Sequence, residues 1–110
     1  MKLPRGEDAV VDTDKLKDYC LSVDHPRGKH KARVFAAALG ITADHVDALR
    51  AALLEAARSE ETTPMDRDEF GQRYVVDFVM HGPKGTAPVR SSWIIRTGEE
   101  SPRLTSCYVK

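Results

Sequence analysis

The apolar residues of this chain change their period once, and that change restricts the accessible folds more than any other feature. Between Lys29 and Glu60 they recur at three- and four-residue steps, the spacing that gathers a stripe on one face of a helix. From Gln72 onward they alternate. In "QRYVVDFVM" Tyr74, Val76, Phe78 and Met80 share one face and Arg73, Val75, Asp77 and Val79 the other, because successive side chains of a strand point to opposite sides. In "APVRSSWIIR" Val89, Ser91, Trp93 and Ile95 likewise oppose Arg90, Ser92, Ile94 and Arg96. Helices followed by strands, rather than interleaved with them, predict an α+β domain: two or three N-terminal helices packed on one face of a three- or four-stranded antiparallel sheet.

Local signals place the elements. Asp12 and Thr13 offer side-chain oxygens to cap a short helix through "DKLKDYCL", with Leu16, Tyr19 and Cys20 at helical spacing; the proline of "SVDHPRG" ends it. A second helix begins near Gly28 and closes at Gly40, with Val34, Phe35, Ala38 and Leu39 as its apolar stripe. Thr42 caps a third, in which Val46, Leu49, Leu53 and Leu54 face inward. "EETTPMDRDEFG" reads as a polar loop, "HGPKGT" and "TGEESP" as turns, and "RLTSCYVK" as the last strand. The helical part thus covers residues 12–60 and the sheet part 70–110, with the extended "AVV" available as a fourth strand.

A chain of 110 residues, 41% hydrophobic and 31% charged, predicts one soluble domain over 1–110. No apolar run approaches the roughly 20 residues that span a bilayer, and the N-terminus lacks a signal-peptide pattern, so a cytoplasmic protein with no membrane partner is expected. Nothing in the sequence sets the oligomeric state. Cys20 and Cys107 lie far apart and read as free thiols, buried or half-buried. A net charge of zero means that any affinity for anions must be local.

Such a place exists. "DHPRGKHKAR" packs His25, Arg27, Lys29, His30, Lys31 and Arg33 into ten positions at the start of the second helix. A helix N-terminus carries a partial positive charge, and each exposed cation there is unfavourable by about 0.3–1 kcal/mol. Lys31 also falls on or beside the apolar stripe, where a solvated lysine has no role. An anion relieves both conditions, since free N–H groups at a helix start already point outward. The non-core face of the sheet supplies a second set of cations, Arg73, Arg90 and Arg96, although Arg73 and Asp77 are placed to neutralise one another. Phosphate suits arginine, whose planar fork donates paired hydrogen bonds. Candidate phosphate or RNA ligands are therefore Lys29, Lys31, Arg33, Arg73, Arg90 and Arg96.

Other chemistries have little support. His25, His30, His45 and His81 show no metal-ligand spacing, "GPKG" belongs to a turn rather than a phosphate loop, and no serine sits in a nucleophile elbow. No metal or other cofactor is expected.

The ordered series "KLKDYCL", "HPRGKHKARVFAAALG", "GQRYVVDFVMHGPKG", "VRSSWIIR" and "PRLTSCYV" resembles a small bacterial family known as a domain of unknown function, whose members occur alone and as C-terminal modules of phage and toxin-like proteins. More loosely, helices before an antiparallel sheet, a basic helix start and a last strand ending in a hydroxyl residue and a tyrosine are similar to the barnase, EndoU, colicin and RelE group of metal-independent ribonuclease toxins. That resemblance implies His25 or His30 with Lys31 as the histidine and lysine, Arg90 or Arg96 as the strand arginine, and Ser106 with Tyr108 as the final hydroxyl-x-tyrosine, serine standing where threonine is usual. It further implies RNA as substrate, a 2′,3′-cyclic phosphate as product, Tyr108 or Trp93 as a surface for a base, and a cognate antitoxin or immunity protein as partner. The alternative is a binding module that grips an acidic protein or a phosphate without chemistry.

Overall fold

A computed structural model describes residues 1–110. After a 3-10 turn at Gly6–Asp8, helix α1 (Thr13–Lys15) runs directly into a π-helical turn, Leu16–Cys20. Asp12 caps it, its carboxylate accepting the Asp14 N–H at 2.9 Å. Helix α2 (Lys29–Leu39) ends at Gly40, whose φ of 72° is a conformation that costs glycine little. Its amide and that of Ile41 return to the carbonyls of Ala36 and Phe35. A 3-10 turn, Ala43–His45, leads into α3 (Val46–Ser59). Strands β1 (Thr62–Asp68), β2 (Gly71–Gly82), β3 (Gly85–Arg96) and β4 (Arg103–Val109) form an antiparallel meander in that order.

The expected face of the sheet meets the helices. Tyr74, Val76, Phe78 and Met80 of β2 and Val89 and Trp93 of β3 join Leu16, Phe35, Leu39, Leu49 and Leu53 in one core. Trp93 is fully buried, and its indole N–H donates to the Ser91 hydroxyl, which donates in turn to the Val76 carbonyl. The polar atoms that burial would strand are thereby satisfied. Trp93 is a core residue, unavailable for stacking on a base.

Four local expectations need correction. The "polar loop" contains β1, an edge strand in which only Thr62 is buried and to which Pro64 and a register shift between Pro64 and Arg67 give an irregular pairing. An edge strand holds through backbone bonds and needs no apolar alternation, so this one carries no periodic signal. The segment "AVV" does not become a full strand: Val10 makes a single parallel bridge to Arg103, covering the start of the β4 edge. Val34 is 43% exposed, because α2 packs through the narrower stripe of Ala32, Phe35 and Leu39. Ile94 is buried despite its outward register, and Ile95 is only partly so.

Candidate functional site

The residues around Lys31 owe their placement to two backbone irregularities. The first is the close approach of α2 to the π-helical turn Leu16–Cys20. A Cβ on Gly28 would lie 2.1 Å from the Tyr19 carbonyl oxygen, so only glycine lets the start of α2 rest on that backbone. The second is a bulge in β4. Ser92 pairs with Ser106 and Trp93 with Leu104, leaving Thr105 as the extra residue. Regular alternation from the buried Leu104 would bury Ser106 and turn Cys107 outward; instead Leu104 and Cys107 are both buried. The bulge thus carries Ser106 to the sheet edge, where α2 passes.

Lys31 fills the space between these segments. Its half-buried ammonium donates to the Tyr19 hydroxyl at 3.2 Å and the Ser106 hydroxyl at 3.0 Å. It also stands 4.8 Å from the centroid of the Tyr19 ring and 5.9 Å from that of Tyr108. No carboxylate pairs with it. A half-buried ammonium held only by neutral hydroxyls and ring faces has no countercharge within the fold, and an anion would supply one.

The two histidines flank the lysine differently. His25 packs edge-on against Tyr19, ring centroids 4.8 Å apart. Its Nδ1 accepts the backbone N–H groups of Arg27 and Gly28, each at 3.0 Å, so the ring caps the turn into α2 and leaves Nε2 free. His30 is exposed and lines a shallow pocket of about 290 Å³ with Lys31, Val34, Tyr108 and Val109.

The expected arginines separate. Arg90 lies opposite Tyr108 across the β3–β4 pair. Its Nε and Nη2 bind both oxygens of Asp77 at 2.9 Å, and Lys110 reaches the same carboxylate at 3.2 Å. Hydrogen bonds to Asp77 and the attraction of its charge hold the guanidinium above its ordinary range, while Arg90 and Lys110 hold Asp77 below the usual carboxylate range. Arg73 pairs with Asp66 and Asp68 of β1, not with Asp77. Arg96 is six residues along β3 from Arg90, about 20 Å by strand rise. It lies in a cleft with Val10, Asp12, Lys15 and Arg103, apart from Lys31. Lys29 and Arg33 occupy the first turns of α2 without an ion-pair partner.

The residues missed from sequence are Tyr19 and the cysteines. Cys20 and Cys107 are free and fully buried beside Lys31. The neighbouring Cys107 thiol brings Cys20 down to about 7 against the opposing effect of burial, with help from the Lys31 charge. Cys107 itself is pushed well up by the adjacent Cys20 sulfur, by burial and by the Cys20 charge. Their adjacency in the sequence to Tyr19, Ser106 and Tyr108 is the one signal that could have linked the two segments.

No functionally curated protein matches the chain in sequence. Its fold is similar to that of one chain of a contact-dependent growth inhibition toxin and immunity protein complex from Klebsiella pneumoniae 342, with a TM-score of 0.71 at 17% identity over 92% of this chain and 99% of that one. Residues 2–110 match the family described as "Domain of unknown function (DUF6883)", and the chain belongs to that family.

Proposed function

We propose that this protein is a toxin-type endoribonuclease whose centre is built around Lys31. The observation that carries the reading is the half-buried Lys31 ammonium, which has hydroxyl partners and no carboxylate. It is the kind of site that takes a phosphate oxygen. In the reaction His30, through its open ring, accepts the proton of the RNA 2′-hydroxyl, while His25, whose Nδ1 accepts backbone N–H groups and whose Nε2 therefore carries the ring proton, donates a hydrogen bond. The 2′-oxygen bonds to phosphorus, the bond to the 5′-oxygen breaks, and that oxygen leaves with a proton from a second acid, giving a 2′,3′-cyclic phosphate and a 5′-hydroxyl. Lys31 holds the non-bridging oxygens as charge accumulates, with Tyr108, Ser106 and Arg90 on the far side. The fold shared with a chain of a toxin and immunity complex supports a toxin-related role and a cognate protein that neutralises it.

The test is incubation of purified protein with end-labelled RNA in chelator. Cleavage leaving cyclic phosphate ends is expected, and Lys31→Ala should slow it roughly 100- to 1,000-fold, as loss of one donor to a developing oxyanion does. His30→Ala should remove one limb of the pH profile, whereas His25→Ala, which removes a hydrogen-bond donor and the cap of the turn into α2, should lower the rate and leave the shape of the profile. Intact RNA after long incubation with folded protein would leave the non-catalytic binding module as the reading.

A further inference from the structure

The pocket beside Lys31 has a composition that phosphate alone does not explain. Its walls are Val34, Tyr108 and Val109, and its polar rim is Lys31 and His30. Val34 is β-branched and apolar, lies one position from the core residue Phe35, and is nonetheless 43% exposed. The helix does not use it for packing. Across from it, the Tyr108 ring lies with its centroid 5.9 Å from the Lys31 ammonium. At about 290 Å³ the pocket is at the small end of ligand sites, which run from about 300 to 1,000 Å³, and so suits a single ring system.

We propose that this pocket is a nucleobase subsite, seating the base of the nucleotide whose phosphate Lys31 holds. The inference rests on the phosphate-holding part of the reading above. Every base presents an apolar π face, and stacking on an aromatic or apolar wall tolerates any sequence. The rim decides the occupant: an aliphatic side chain from a protein would find the same walls, but it brings no negative charge to Lys31. A nucleotide brings both halves, base to Val34 and Tyr108, phosphate to Lys31.

The experiment compares cytidine 3′-monophosphate with inorganic phosphate on the intact protein, following the Val34 methyl and Tyr108 ring resonances. The nucleotide is expected to bind more tightly and to shift both side chains, while phosphate, held at Lys31 beside the Tyr108 ring, leaves the Val34 methyl groups unmoved. Val34→Ser, at an exposed position that leaves the core intact, is expected to weaken nucleotide binding roughly 4- to 15-fold, as loss of one to two covered methyl groups does, and to leave phosphate binding unchanged. Equal affinity for the two probes, or equal loss of both in Val34→Ser, would overturn the subsite. RNA cleavage without base-dependent binding removes the subsite and keeps the enzyme. Base-dependent binding without cleavage does the reverse, and an absence of binding by either probe removes both.

Discussion

Lys31 shows what a single position reveals in sequence and what it does not. Its conflict is legible: a cation at a helix start, one turn before Phe35. Its resolution is not, because Ser106 lies 75 residues away and reaches Lys31 only through the β4 bulge. The convergence of Lys31, Ser106 and Tyr108 came from resemblance, not from spacing. Arg73 and Asp77 show the opposite failure. They lie on one face of one strand, yet the partners they find are across the sheet, Asp66 and Asp68 for the first and Arg90 for the second, because directly opposed residues of neighbouring strands are closer than residues four apart on the same strand. The cysteine pair makes a prediction at this scale. Folding lowers Cys20 from 9.0 to about 7. A depressed acid stabilises the fold fully above its unfolded value, and the contribution disappears as pH falls through the folded value. Cys20 therefore adds stability between about pH 7 and 9, and the raised Cys107 withdraws stability at still higher pH. Denaturant unfolding of wild type and Cys20→Ala across this window is expected to show their difference growing with pH; a difference independent of pH would refute the assignment. In Cys107→Ala the Cys20 thiolate is expected to appear at higher pH, since the neighbour that most lowers it is gone.

Elements with caps were readable, and elements without them were not. Asp12, Gly40 and Thr42 bound the three helices because each solves a local problem at a helix end. The alternation from Gln72 to Met80 set the sheet's buried face because that face has to meet the helices. Strand β1 left no such trace, since pairing along β2 requires only its backbone. The exposure of Val34 was hidden for a different reason: period identifies a face, but the width of the buried stripe depends on how closely the helix approaches the sheet. The seating of α2 on the π-helical turn Leu16–Cys20 is set by Gly28, where a methyl group would meet the Tyr19 carbonyl at 2.1 Å. Gly28→Ala is therefore expected to destabilise by about 1–3 kcal/mol, the usual cost of overpacking. If the protein cleaves RNA as proposed, the variant should also slow cleavage through displacement of Lys31 from the Tyr19 hydroxyl. Thermal unfolding and cleavage rates measured together check this; a variant as stable and active as wild type would show that the contact does not position the site.

Across the whole molecule, a net charge of zero conceals a separation. From Lys15 to Arg33 the chain carries six cations and two carboxylates, and none of these groups makes an ion pair. From Glu55 to Glu69 there are six carboxylates and two cations, several of them paired. The basic segment adjoins β4 and the acidic one includes β1, the opposite edges of the sheet. A molecule polarised in this way attracts phosphate at one end while its total charge stays balanced. It would also meet a neutralising protein through an acidic surface on that partner. The salt dependence of nucleic-acid binding measures how many of these cations are used. With a single-stranded DNA oligomer, which lacks the 2′-hydroxyl and resists cleavage, each neutralised phosphate contributes about −0.7 to the slope of log affinity against log salt. If three to six of the unpaired cations engage, the expected slope is about −2 to −4. Lys29→Ala should make it shallower by about 0.7, whereas Arg96→Ala, on the far stretch of β3, should leave it unchanged. A slope near zero would mean that the basic end does not meet the backbone at all. Equal effects of the two substitutions would mean that the strand is spread across the sheet face, away from Lys31.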